Sequence, residues 1–349
     1  MAHTRAIDRV EGLRRERVRA SSRFIEGAFR NLARVGVGLK GNPLPIIGEF
    51  VFGGAKRLPP GPLPVFSPLE AWTRSPDSTL RVTWLGHSTV LLEVDGLRVL
   101  TDPVFGLRAS PLSFAGMKRF HPTPATIEQL PPLDAVLLSH NHYDHLCETS
   151  IEKLAKLRVP FVTALGVGAK LQAHGVLAAN ITELDWHEHV TLAGGRLKFT
   201  ATPAQHFSGR SIGDRNQTLW ASWVIQTDHH KAYFSGDTGL FPEMADIGKQ
   251  YGPFDLVMLE VGAFHPSWGD IHLGPENALR AHELLGGGLL FPVHWGTFAL
   301  GLHPWAEPAE TLYTLADQFD ARLLLPKLGT PIEALREESN DPWWRNVKR

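Results

Sequence analysis

Between residues 140 and 145 the chain reads His140-Asn141-His142-Tyr143-Asp144-His145, three imidazoles and a carboxylate within six residues. Imidazole nitrogen and carboxylate oxygen are the donors that zinc and comparable divalent ions take. Alternation puts His140 and His142 on one side of a turn, where they can hold one ion; Asp144 and His145 face a second. The apolar run Ala135-Val136-Leu137-Leu138 precedes the cluster, and a helical pattern over 150–157 follows it. The cluster therefore belongs at the carboxyl end of a buried strand, where the backbone turns and side chains converge. A solvated histidine-rich turn is the plainer explanation, but ligand-type residues at this spacing are among the stronger sequence signals.

Two ions need about four ligands each, so other strand ends must contribute. His206 closes Thr202-Pro203-Ala204-Gln205-His206, Asp237 closes Tyr233-Phe234-Ser235-Gly236-Asp237, and His294 closes Phe291-Pro292-Val293-His294. Packing alone does not explain three apolar strands that each end in one ligand-type residue. The expected assignment gives His140, His142 and His206 to the first ion and Asp144, His145 and His294 to the second, with Asp237 bridging both. Two divalent cations, less two carboxylates and a bridging hydroxide, leave a net positive centre. Such a centre brings bound water to a pKa of about 7 and attracts an anionic group, for which a phosphodiester is suited.

Meeting in space requires a frame, and the pattern from Thr79 onwards supplies one. Three adjacent strands are expected at 80–85, 90–94 and 97–101, the last two joined by an Asp95-Gly96 hairpin turn. Further strands are expected at 161–164, 181–184, 190–192, 197–203, 220–227, 231–235, 256–261, 289–293 and, last, 322–325. Helices are expected at 167–173, 241–251, 275–285 and 308–319. Two groups of strands, each followed by helices, predict two sheets packed face to face with helices outside. The loop 103–124 carries Phe105, Leu107, Leu112, Phe114, Met117 and Phe120, an apolar wall for a substrate.

Residues 1–78 read differently from the rest. A helix is expected over 10–35, with Phe24, Ile25, Ala28, Phe29 and Leu32 on one face and Arg23, Arg30 and Arg34 beside it. Packing on its own domain is the expectation; a basic amphipathic helix lying on an anionic membrane is the alternative. Segment 37–66 is rich in glycine, proline and apolar residues, an arm over the domain or towards a lipid-facing lip. The expected division is an N-terminal extension 1–78, a hydrolase domain 79–335 and a C-terminal tail 336–349.

The 349 residues carry a net charge of −1 and show no long basic run, so nucleic acid is not an expected partner. Cys147 is the one cysteine, which excludes an intrachain disulfide and suits a reducing compartment. No secretion leader or membrane span is read, so the expected location is the cytoplasm, with peripheral contact at the inner membrane surface allowed.

The cluster with its later His, Asp and His resembles the metallo-β-lactamase superfamily. Further motifs are similar to N-acylphosphatidylethanolamine-hydrolysing phospholipase D and its bacterial relatives. They are Trp84-Leu85-Gly86-His87-Ser88-Thr89, Thr101-Asp102-Pro103, Ser235-Gly236-Asp237-Thr238-Gly239, Gly252-Pro253-Phe254-Asp255-Leu256 and His294-Trp295-Gly296-Thr297-Phe298. The similarity spans about 79–330. It implies an α/β fold, a four-layer αββα sandwich with an N-terminal extension. It also implies two zinc ions, with Mn2+ or Fe2+ as substitutes, and hydrolysis of a phospholipid phosphodiester by a metal-bridging hydroxide. A homodimer at a membrane surface is a further implication. His272, in His272-Leu273-Gly274-Pro275-Glu276, matches a family histidine beside the metals and is expected to act with Asp144 in catalysis, contacting phosphate or leaving group. His87 and Asp102 are expected to orient ligands from behind. The chain departs from the family pattern at Cys147-Glu148, Leu259-Glu260 and His265, none of them among the assigned ligands. The rival reading is a lactone, β-lactam or thioester hydrolase on the same two-metal site. A nuclease would call for a basic stripe, and a di-iron oxygen-reducing protein for a carboxylate in place of His142. A metal-binding scaffold without activity would call for a closed site.

Overall fold

Strands β1 (Leu80–Gly86), β2 (Thr89–Val94) and β3 (Leu97–Thr101) form an antiparallel meander. The chain then crosses over, first through the loop 102–134 and then through helices, to add β4 (Ala135–Leu138), β5 (Phe161–Ala164) and β6 (Ile181–Leu184) in parallel. Parallel neighbours need such crossovers, and α2 (Glu148–Ala155) and α3 (Gly168–Ala173) provide them. A second meander follows: β7 (His189–Leu192), β8 (Leu197–Thr202), β9 (Ser222–Gln226) and β10 (Lys231–Phe234). Three parallel strands extend it: β11 (Leu256–Glu260), β12 (Leu289–Val293) and β13 (Arg322–Leu323). Helices α4 (Met244–Tyr251), α5 (Gly274–Leu284) and α6 (Glu307–Leu315) lie between these strands in sequence. The computed structural model describes residues 2–33, 56–112, 114–211, 213–265, 268–336 and 340–348.

The strand alternation explains the layers. Leu80, Val82 and Trp84 of β1, Val90 and Leu92 of β2 and Leu137 of β4 share one core with Phe199, Trp223, Ile225 and Tyr233 of the second sheet. Their neighbours Leu85, Leu91, Val136 and Leu138 turn to the opposite face, beneath Ile151 and Leu154 of α2 and Leu171 of α3. A sheet covered on both faces needs apolar residues at nearly every position, which is why β4 reads as a continuous run. Two seven-stranded sheets with helices outside make the αββα sandwich that was expected.

Two expectations fail. The helix read over 10–35 ends early: α1 spans Ala2–Ala20, and Phe24–Ile25 pairs antiparallel with Ala28–Phe29. Glu26 and Gly27 take positive φ of 51° and 77°, the conformation of a two-residue hairpin turn. Phe29 is then buried in the main core, while Ile25 faces solvent. The second failure is the last strand. Beyond β13 the chain returns as β14 (Pro331–Glu333) and pairs antiparallel with β1, at the edge of the first sheet. Three residues headed by proline show too little alternation to read as a strand. Of the Gly/Pro-rich arm expected over 37–66, residues 37–55 lie outside the described residues; Val65 bridges to Leu328. Leu63 near its end, and Trp343 and Trp344 near the C-terminus, are buried in the main core. Among the described residues, no helix is long and apolar enough to cross a membrane.

Candidate metal centre

β1, β3, β4, β8, β10, β11 and β12 all run towards one rim of the sandwich, and each delivers a polar side chain just after or at its end. In chain order these are His87, Asp102, the cluster His140–His145, His206, Asp237, Glu260 and His294. Three of these residues have left-handed backbone: His87 (φ 54°), Asp102 (φ 31°) and His294 (φ 66°). Non-glycine residues in that region concentrate at functional sites, where surrounding structure holds the strain. Gly236, just before Asp237, also has positive φ, 55°, and a Cβ there would collide with Ser139. The absence of a side chain at Gly236 lets its backbone pass close to Ser139.

Four ligand-type atoms converge at one point. His140 Nε2 lies 2.8 Å from His142 Nδ1, which is 3.2 Å from His206 Nε2. Asp237 Oδ2 is 3.8 Å from His140 Nε2 and 3.6 Å from His206 Nε2. Tetrahedral ligands at zinc–nitrogen distances would stand about 3.3 Å apart, so these spacings bracket the value a bound ion needs. Beside this group, Asp144 Oδ2 lies 3.2 Å from His294 Nε2 and 3.5 Å from His145 Nε2. Asp237 reaches this second group with both oxygens, Oδ2 at 3.1 Å from His145 Nε2 and Oδ1 at 3.3 Å from His294 Nε2. Asp237 thus stands between two clusters. His145 Nε2 and Asp237 Oδ1 are buried with no hydrogen bond, an omission that a cation between them would resolve.

The supporting contacts are equally directed. Asp102 accepts from the Ser139 amide at 2.8 Å and the Ser139 hydroxyl at 2.6 Å, and contacts His145 Nδ1 at 2.6 Å. That carboxylate–histidine pair fixes the ring so that Nε2 faces the cage. His206 Nδ1 donates to the Ile271 carbonyl at 3.0 Å. His87 places Nε2 3.1 Å from Asp144 Oδ2, close enough to His145 and His294 to stand with that group. His272 joins Asp237 and His294, with its Nδ1 3.2 Å from Glu260 Oε1.

Burial opposes charge throughout the cage, and the carboxylates decide where charge survives. Desolvation works against the charge of both Asp237, which is buried, and Asp144, which is partly exposed, yet His145, with His294 beside both, holds them well below the usual carboxylate range. Against the same burial, Asp237, Asp144 and Asp102 lift His145 well above its ordinary value, and Asp237 and Asp144 raise His294 to about 10. Burial leaves His140 and His206 well below the ordinary value and takes His142 down to about 4. Burial with His294 alongside takes His87 to about 3, and burial raises Asp102. Ligation through His145 and His294 needs neutral rings, so a cation bound there would compete with protons.

A family model for the beta-lactamase superfamily domain matches residues 97–295, more than half of the chain. The chain belongs to the metallo-β-lactamase superfamily. It is a metal-dependent hydrolase of that superfamily. An uncharacterized protein of Mycobacterium tuberculosis, Rv0906, is 44% identical over 304 residues, 86% of this chain and 80% of its own. The N-acyl-phosphatidylethanolamine-hydrolyzing phospholipase D 1 of Caenorhabditis elegans is 36% identical over 252 residues, 69% of this chain and 71% of that protein. Among solved structures, Igni18, a metallo hydrolase from Ignicoccus hospitalis, shares the fold with a TM-score of 0.56 at 24% identity, over 72% of this chain and 97% of that one.

Seen as a metallo-β-lactamase-superfamily rim, the sequence reading missed four contributors. Ser139, Asn31 and Arg210 act through hydrogen bonds to backbone or second partners, which no spacing rule reveals. Arg210 bonds the Asn141 and Leu146 carbonyls at 2.8 and 2.9 Å and lies 3.6 Å from the Tyr143 ring centre, bracing the cluster loop. Glu260 was readable, since it too ends an apolar strand in a ligand-type residue. A cleft of about 180 Å³ beside the cluster is lined by Leu107, Arg108, Leu112, Tyr143, Cys147 and Arg210. Leu107, Leu112 and Phe114 of the adjoining loop are exposed.

Proposed function

We propose that the protein hydrolyses a phosphodiester, of the N-acylphosphatidylethanolamine type, in the manner of a phospholipase D. The observation that carries the reading is the pair of clusters sharing Asp237. His140, His142, His206 and Asp237 would hold one zinc ion; Asp144, His145, His294 and Asp237 would hold the other. What divalent ions supply in such a cage is Lewis acidity, which acidifies water and offsets charge on phosphoryl oxygens. The chain's own contribution is orientation and proton transfer. Asp102 keeps His145 directed inward, and the Ile271 carbonyl does the same for His206. Glu260 occupies Nδ1 of His272, which leaves Nε2 to face the substrate. As water adds to phosphorus and the phosphorus–alcohol bond breaks, His272 gives its proton to the departing alkoxide and regains one from the attacking water. The products are a phosphatidic acid and an N-acylethanolamine. The 36% identical phospholipase D of C. elegans supports this substrate class, and exposed Leu107, Leu112 and Phe114 beside the cleft suit an acyl-bearing one. Liposomes containing N-acylphosphatidylethanolamine test it. Phosphatidic acid should be released, and release should stop on chelation; turnover of small lactones or thioesters alone would overturn it.

A further inference from the structure

We propose that Asn31, from the N-terminal segment, is a positioning residue for the metal ligand His206. The inference rests on the two-cluster reading above. Asn31 treats His206 as a strand neighbour would. Its Nδ2 donates to the His206 carbonyl at 2.8 Å, and its Oδ1 accepts from the His206 amide at 3.0 Å. The same oxygen accepts from the Trp220 indole at 3.1 Å. His206 lies in the loop after β8, beyond any ladder, and it is 1% exposed. One side-chain amide therefore satisfies both backbone groups of a buried ligand residue, which would otherwise go unpaired. The ring is fixed separately, by Ile271. Asn31 in turn is held in place by its own segment. Phe29 is buried in the core and its amide donates to the Asn216 carbonyl at 2.8 Å; Gln217 donates to the Gly27 carbonyl at 2.7 Å. Upstream, Arg14 pairs with Glu183 and Arg17 with Glu188. The hairpin thus presents Asn31 to the rim from outside the span that the superfamily model matches.

The measurement is stepwise zinc affinity of the metal-free full-length protein, read by competition with a chromogenic chelator. Wild type is compared with Asn31→Ala, the isosteric Asn31→Asp, and Arg15→Ala as a control, since the exposed Arg15 reaches only Glu11 of its own helix. Asn31→Asp keeps the acceptor but loses the donor to the His206 carbonyl. Both Asn31 variants should weaken one of the two binding steps by about 10–100-fold, the usual loss when a ligand's supporting contact goes. The other step and the Arg15→Ala protein should match wild type. Amide exchange at His206 should quicken in metal-free Asn31→Ala. Equal affinities in all four proteins would overturn the role of Asn31 and leave the cage standing. Wild type without two tight zinc ions would overturn the cage, and this role with it.

Discussion

At the scale of single residues, the sharpest test is Asp237. Both clusters use it, so Asp237→Ala should lower bound zinc and abolish turnover, measured by metal analysis of the purified variant alongside activity. Full metal content with full rate would rule the bridge out. Asp102 acts one shell further back. Asp102→Asn keeps the shape but weakens the pairing with His145, and should cost about 10–100-fold in metal affinity or activity. The candidate ligands were legible in the chain because the six-residue cluster and the three later residues each follow an apolar strand. The residues behind them were not, because a hydrogen bond to a backbone carbonyl leaves no signature in residue type. His87 shows the difference: its motif marked it, yet only its 3.1 Å approach to Asp144 reveals that it points into the second group.

At the scale of elements, the turns after the strands carry the strain. Gly236 needs φ of 55°, and its Cα faces Ser139. Gly236→Ala should destabilise the protein by about 1–3 kcal/mol from the backbone term alone, with the collision in addition. Denaturant midpoints would show it; an unchanged midpoint would mean the loop relaxes freely. Most strands could be read because strands buried on both faces appear as short apolar runs bounded by turn residues. The hairpin at Phe24–Phe29 could not, since apolar residues there fit a helical stripe equally well and the deciding feature is the Glu26-Gly27 turn. β14 was hidden for a related reason: its identity comes from pairing with β1 at the far end of the chain.

At the scale of the whole molecule, stability should depend on pH through histidines buried in neutral form. His121, whose Nε2 lies 3.1 Å from Thr297 Oγ1, is pushed down to about 3, by burial first and then by Arg119. Between about 6.5 and about 3 the unfolded chain binds the proton that the folded chain refuses. Stability is therefore retained above about 6.5 and lost as pH falls through that window. Unfolding midpoints across this range should decline, and His121→Gln should flatten part of the decline; parallel curves would exclude His121 as a contributor. The layered fold was readable from alternation, whereas the burial of Trp343 and Trp344 among residues from both sheets was not, because the sequence there is short and lacks periodicity. Among the described residues, the chain passes from the first sheet to the second once, between Leu184 and His189, with only β14 crossing back. Every ligand-type residue from His87 to His145 lies before that passage, and His206, Asp237 and His294 after it. A nick there would yield two fragments, each holding part of the candidate coordination set, and a divalent cation would then act as the adhesive for their reassembly: a split enzyme switched on by metal.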